Sequence, residues 1–169
     1  IMDFSAHTFL QQLAEQVAYL RTQIKRKIYL IAENAKNDGR TTRPLLLNGL
    51  GMDAQWSDDF HHSLRTLLTG DQTGYYEDYG TLAHLVKAFR EGFYFSGQYS
   101  KHMDRHYGTN STDIPGECFV VYTHNHDQVG NRVFGERLAE FLSFDELKLA
   151  AGVMLLSPYL PLLFMGEEY

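Results

Sequence analysis

Residues 118–131, CFVVYTHNHDQVGN, decide how this chain is read. Phe119, Val120, Val121 and Tyr122 form an apolar, β-branched and aromatic run that breaks abruptly into two histidines, an amide and a carboxylate, and then a glycine. A strand that ends in such a polar knot is a common way to hold a reactive group on a rigid support. The same construction occurs earlier, where residues 27–32, KIYLIA, read as a strand ending at Glu33 and Asn34. Two strands that each deliver a carboxylate at the C-terminal end suggest a shared active site. A pair of carboxylates is the usual minimum for cleaving a glycosidic bond.

Working outward, Leu10, Leu13, Val17 and Leu20 fall on one helical face, and Thr8 with Gln11 has capping-box spacing. Residues 52–56 suit a short strand that runs into Ser57, Asp58 and Asp59. A helix is predicted over 60–68, with Asp58 or Asp59 as its cap and Gly70 as its stop. Another is predicted over 81–90, ended by Gly92. Residues 93–116 show no sustained period, and a loop of that length is expected to be a functional lid or disordered. A helix then starts at Ser143, with a Ser143/Glu146 capping box and an apolar face of Leu147, Ala150, Ala151, Met154 and Leu155, and stops before Pro158. Residues 161–165 read as a fourth buried strand, leading into Gly166, Glu167 and Glu168.

Strands that alternate with helices and lack alternating polarity indicate an α/β fold with a parallel sheet covered by helices. Four such units make half of a (β/α)8 barrel or a small open sheet. Glu33–Asn34, Ser57–Asp59, His124–Asp127 and Glu167–Glu168 each follow a strand's C-terminal end, which is the catalytic face of a barrel. It is also the binding edge of open α/β sheets. No repeat, low-complexity tract or linker divides residues 1–169, so a single domain is expected.

A net charge of −6 and the absence of a basic stripe argue against nucleic-acid and anionic-membrane partners. The densest basic run, 21–27, reads as a solvated helix end. A lone Cys118, no signal pattern and no long apolar run point to the cytoplasm. Eleven Tyr and eleven Phe serve either as core packing or as sugar-stacking platforms, and composition does not choose between them.

The apolar strand ahead of Glu33 predicts a carboxyl among apolar side chains, where desolvation favours the protonated form that a general acid needs; the alternative is pairing with Arg40 or Arg43. His124, Asn125, His126 and Asp127 admit a metal site, a structural polar cluster, or a substrate-binding His beside an active-site Asp. The metal reading is the weakest, because the H-x-H-x-D-H spacing of metallohydrolases is absent and no further ligand cluster stands out. Trp56 with Asp58, Asp59, Phe60, His61 and His62 mixes one large ring with several polar groups, and is either a binding platform or a core ring beside an Asp helix cap. There is no G-x-S-x-G, G-x-G-x-x-G or phosphate loop.

Five stretches together resemble the maltooligosyltrehalose trehalohydrolases, a family within the α-amylase superfamily (glycoside hydrolase family 13): LIAEN at 30–34, GMDAQWSDDFHHSL at 51–64, GYYEDYG at 74–80, THNHDQVGNR at 123–132 and LLSPYLPLLFMGEEY at 155–169. The resemblance implies strands five to eight of a (β/α)8 barrel, with its C-terminal half present. It implies a cofactor-independent retaining hydrolase that cuts the α-1,4 bond beside the terminal trehalose unit of a maltooligosyltrehalose chain. On that resemblance Glu33 is the general acid/base, Asp127 the aspartate that stabilises the transition state at the −1 sugar, and His126 a contact to the same sugar. Asn125, Trp56 and Asp58 join His126 as substrate-binding residues, and no metal is implied. Residues 1–5, IMDFS, resemble the segment just after the superfamily's nucleophilic aspartate, so this nucleophile is expected outside the chain and the fragment alone is expected to be inactive. The rival readings are a 1,4-α-glucan branching enzyme with the same carboxylates and a non-catalytic α-glucan-binding module. A half-barrel is expected to self-associate or to pair with its N-terminal half.

Overall fold

The computed structural model describes residues 3–168. Ile1 and Met2, which open the stretch likened to the sequence after the nucleophile, lie outside the described residues, as does Tyr169 at the end of the last motif.

Helix α1, Phe9–Ile24, begins at the expected capping box: the Thr8 hydroxyl accepts from the Gln11 amide, and the Gln11 side chain accepts from the Thr8 amide. Its inward face is partly covered. Ala14 is buried, Leu10, Leu13 and Val17 are half-buried, and Leu20 is exposed. The basic run at its end is not simply solvated, because Arg21 pairs with Asp53 and so ties α1 to the approach to the second strand.

The sheet contains β1 (Ile31–Ala32), β2 (Ala54–Trp56), β5 (Phe119–Val121) and β6 (Leu160–Pro161), in that spatial order and all parallel. Register sets Ile31 beside Ala54, Gln55 beside Phe119 and Val120 beside Leu160. Between β2 and β5 lie α2 (Asp58–Thr69), α3 (Leu82–Glu91) and an antiparallel hairpin of β3 (Tyr99–Ser100) and β4 (Arg105–His106). After β5 come the single-turn helix α4 (His126–Gly130) and α5 (Phe144–Leu155). This βαβ succession with a parallel sheet is the arrangement of a partial (β/α)8 barrel.

The core lies between the sheet and the helices: Phe60 and Leu64 of α2, Leu85 of α3 and Phe93 just after it, Phe119 and Val121 of β5, Ala150 and Met154 of α5, and Tyr159. Each large apolar side chain buried here contributes about 1.5–3 kcal/mol relative to exposure. The Tyr159 hydroxyl accepts from the Gly92 amide at 2.7 Å, so its polar end is satisfied inside that core.

Several expectations need correction. The strand expected over 27–33 shrinks to Ile31–Ala32, because the Asp53 carboxylate takes the Leu30 amide at 2.7 Å in place of a ladder partner. The fourth strand is Leu160–Pro161 and is exposed rather than buried; Pro161 lacks a ladder donor, and one further bond runs from the Leu162 amide to the Val121 carbonyl. The cap of α2 is Ser57, whose hydroxyl accepts from the Phe60 amide, while Asp58 and Asp59 fill the first turn. The segment over 93–116 is neither disordered nor detached: it carries the hairpin and buries Phe93 and Phe95. No helix among the described residues is long and apolar enough to cross a membrane.

Candidate active site

The carboxyl ends of β1, β2 and β5 converge. Glu33 follows β1, Ser57 and Asp58 follow β2, and Thr123 to Asp127 follow β5. His126 lies between the two sequence-distant carboxylates: its Nε2 is 3.4 Å from Glu33 Oε1 and 3.4 Å from Asp127 Oδ1. One ligand atom from each of the three residues falls within 4.8 Å of the others. All three side chains are more than half exposed, and therefore open to a substrate. They form an N/O donor set capable of holding a cation, although at these distances the imidazole already neighbours both carboxylates.

The exposure of Glu33 overturns the expectation that apolar neighbours surround it. β1 is short and on the edge of the described sheet, so little packs over its end. Nor does Glu33 pair with Arg40 or Arg43, which bind Asp38 and Asp113 instead.

The polar knot after β5 is a helix start. Asn125 is the N-cap of α4: its side-chain oxygen accepts from the Asp127 amide at 2.8 Å, and its own amide donates to Gln128 Oε1 at 2.8 Å. Asn125 is only 1% exposed, and its side chain holds the Asp127 backbone in place. His124 is also buried, with Nδ1 3.1 Å from Glu167 Oε1. Burial raises the Glu167 pKa, but donors from His124, Thr123 and the Phe164 amide outweigh it and hold the carboxyl below its ordinary range.

Trp56 is half-buried and packs edge-on against Tyr122 at 5.5 Å and His126 at 5.8 Å. It buttresses the histidine and does not line the cleft below. Asp58 does line it, and accepts a hydrogen bond from the Tyr122 hydroxyl. That cleft, of about 260 Å³, opens from Asp127 and Asp58 and is walled by Tyr75, Asp78, His102 and Tyr107.

Two buried groups from the polar run after β2 take places beside the cleft that their residue types did not specify. Asp59 is 1% exposed and accepts from Asn37 Nδ2 at 2.7 Å, the Tyr79 hydroxyl at 2.6 Å, and the Tyr94 and Phe95 amides at 2.7 and 2.8 Å. It thus joins the loop after Glu33 to the start of the hairpin segment. Burial pushes its pKa up to about 6, even though these donors favour the charged form. His61 is fully buried, with Nδ1 2.6 Å from the Thr123 carbonyl and Nε2 3.0 Å from the Tyr76 hydroxyl. A carbonyl only accepts, so Nδ1 carries the proton and Nε2 accepts from tyrosine. Burial, followed by the charges of His62 and Arg65, holds the His61 pKa well below its ordinary value.

Against this geometry, the known relatives are informative. The chain is 42% identical over its whole length to malto-oligosyltrehalose trehalohydrolase of Saccharolobus solfataricus, and 41% identical to those of Arthrobacter ramosus and Mycobacterium tuberculosis. It spans only 29–30% of the length of these relatives. A crystal structure of a "Putative alpha Amylase" from Salmonella typhimurium superposes on all of the chain with a TM-score of 0.90 at 37% identity, with 29% of that protein covered. Over its whole length the chain resembles one part of these longer enzymes. No protein-family model matches it. The Glu33–His126–Asp127 cluster is where the fold brings sequence-distant acid groups together.

Proposed function

We propose that the whole protein is a retaining α-glucan hydrolase that cuts the α-1,4 bond beside the terminal trehalose of a maltooligosyltrehalose chain. The observation that carries this reading is the convergence of Glu33, His126 and Asp127 at the carboxyl ends of two parallel strands. Similarity to trehalohydrolases over the full chain supports the choice of substrate.

In the first step, a proton moves from the Glu33 carboxyl to the glycosidic oxygen as the bond to the anomeric carbon breaks, and a carboxylate nucleophile from outside these 169 residues captures that carbon. In the second step, Glu33 takes a proton from water as the water oxygen displaces the nucleophile, so configuration is retained. Asp127 stabilises the positive charge that develops on the ring carbon and oxygen, and His126 binds the same sugar. Trp56 and Asp58 support the site from β2, with Trp56 acting through His126. Residues 1–169 constitute a partial catalytic barrel domain, with strands five to eight present, and work in the cytoplasm needing no cofactor.

The test is product analysis. Full-length protein incubated with maltotriosyltrehalose is expected to release free trehalose and maltotriose. New α-1,6 branches would instead indicate a branching transferase, and binding without turnover a non-catalytic module.

Among the described residues, β1 and β6 are the sheet's edges and pair on one side only, with Ile31 51% and Leu160 42% exposed. Such edges recruit partner strands. We therefore expect this piece to self-associate or to pair with the rest of its barrel. Sedimentation of the isolated chain as a monomer at high concentration would contradict that expectation.

A further inference from the structure

We propose that Asp78 is a positioning residue that fixes the tip of the β3–β4 hairpin as a wall of the substrate cleft; this rests on the glucan-hydrolase reading above. The hairpin's own hydrogen bonds close its base, where the Gly97 amide donates to the Tyr107 carbonyl at 2.7 Å and the Tyr107 amide to the Gln98 carbonyl at 2.9 Å, but do not tie its tip to the rest of the domain. Its ladder is two residues long, pairing Tyr99 with His106 and Ser100 with Arg105. Two-stranded ribbons of that size are marginal at best in water. Yet its tip contributes His102 and Met103 to the cleft that opens from Asp127.

The missing constraint comes from one carboxylate. Asp78 Oδ2 accepts from the Ser100 hydroxyl at 2.6 Å and from the His102 amide at 3.3 Å, while Oδ1 accepts from the Lys101 amide at 2.8 Å. The buried Ser100 hydroxyl in turn accepts from the Met103 amide at 3.1 Å. Four consecutive residues are thereby referenced to a single side chain. Asp59 holds the entry to the same segment through the Tyr94 and Phe95 amides. Hydrogen bonds to a charged acceptor are the stronger kind, so Asp78 sets where the tip lies relative to the cleft while the ladder holds the two strands to each other.

A fixed wall spares the substrate the ordering of that loop on binding. Removing the anchor should therefore weaken binding of the glucan in ground and transition states alike, leaving the chemical step untouched. In the full-length protein, Asp78→Ala is expected to raise KM for maltotriosyltrehalose roughly tenfold with kcat within about twofold of wild type. Asp78→Asn should lie between, at roughly threefold, because its oxygen can keep the Ser100 side while its amide faces the Lys101 N–H. Hydrogen exchange at the Lys101 and His102 amides should accelerate in Asp78→Ala. A role confined to global stability would lower the active fraction, and hence kcat, at unchanged KM. Unchanged KM in folded Asp78→Ala overturns the inference; if that variant does not fold, unchanged KM in Asp78→Asn does so. A wild-type protein that hydrolyses no maltooligosyltrehalose overturns the functional reading itself, and is recognised from the wild type alone.

Discussion

Asn125 and His126 are adjacent in sequence and divide their work cleanly. The amide is buried and capping, and the imidazole is exposed between two carboxylates. Residue type revealed that this stretch carries polar chemistry, but not which side chain turns inward. That depends on where α4 starts, and hence on the Asn125/Gln128 reciprocal pair. Two substitutions separate these roles. Glu33→Gln keeps the side chain's shape and removes its ionisable proton, so hydrolysis by the full-length protein should fall about 10²–10⁴-fold with glucan binding retained. Steady-state kinetics beside a binding titration check this, and wild-type-like turnover would remove Glu33 from the mechanism. Asn125→Ala loses a cap worth about 1 kcal/mol and frees Asp127 to reorient. Chemical denaturation should show that small loss while kcat/KM falls by a much larger factor; equal losses in the two would reduce Asn125 to a stability element.

At the scale of elements, helices were more legible than strands. The capping boxes at Thr8 and Ser143 and the stops at Gly70 and Gly92 all lie where the sequence indicated. These are local signals, written within four residues. Strand limits depend instead on the partner: the Asp53 side chain delays the start of the β1 ladder, and no periodicity in 27–33 records that. Helix α4 escaped because five residues cannot show a helical period, and only its capping box betrays it. Gly92 illustrates a stop signal with a tertiary reason. Its φ is +82°, and an added Cβ would lie 2.4 Å from the Phe119 ring in the core. Gly92→Ala combines a left-handed backbone penalty of about 1–2 kcal/mol with overpacking of about 1–3 kcal/mol. Urea unfolding should show a loss of at least about 2 kcal/mol, whereas Ser143→Ala, at an exposed cap, should lose only about 1 kcal/mol. Comparable losses in the two variants would mean that α3 and β5 repack freely around the new methyl group.

For the whole molecule, the groups beneath the cleft make stability depend on pH in two opposing ways. Burial lowers the His62 pKa to about 4 and holds that of His61 well below the usual imidazole value. Between about pH 4 and 6.5 the unfolded chain binds protons at these histidines that the folded chain refuses, so they cost stability as the pH falls. Asp59 acts in reverse. Its folded pKa of about 6 lies above the ordinary 3.8, so over that interval the folded chain binds the extra proton and gains stability as the pH falls. The geometry tolerates the proton. Oδ2 keeps its three donors, and Oδ1 faces only the Tyr79 hydroxyl, which can rotate from donor to acceptor. Asp59→Asn preserves the same pattern, with its oxygen in the place of Oδ2, and abolishes the titration. Wild-type protein should therefore lose only part of its unfolding free energy between pH 7 and pH 4.5. Asp59→Asn should lose on the order of 2 kcal/mol more over the same interval, because the histidine penalty is then unopposed. Urea titrations of both proteins at the two pH values measure the difference. Parallel pH profiles would mean that Asp59 titrates at its ordinary value, and that its four donors, rather than its burial, determine its charge.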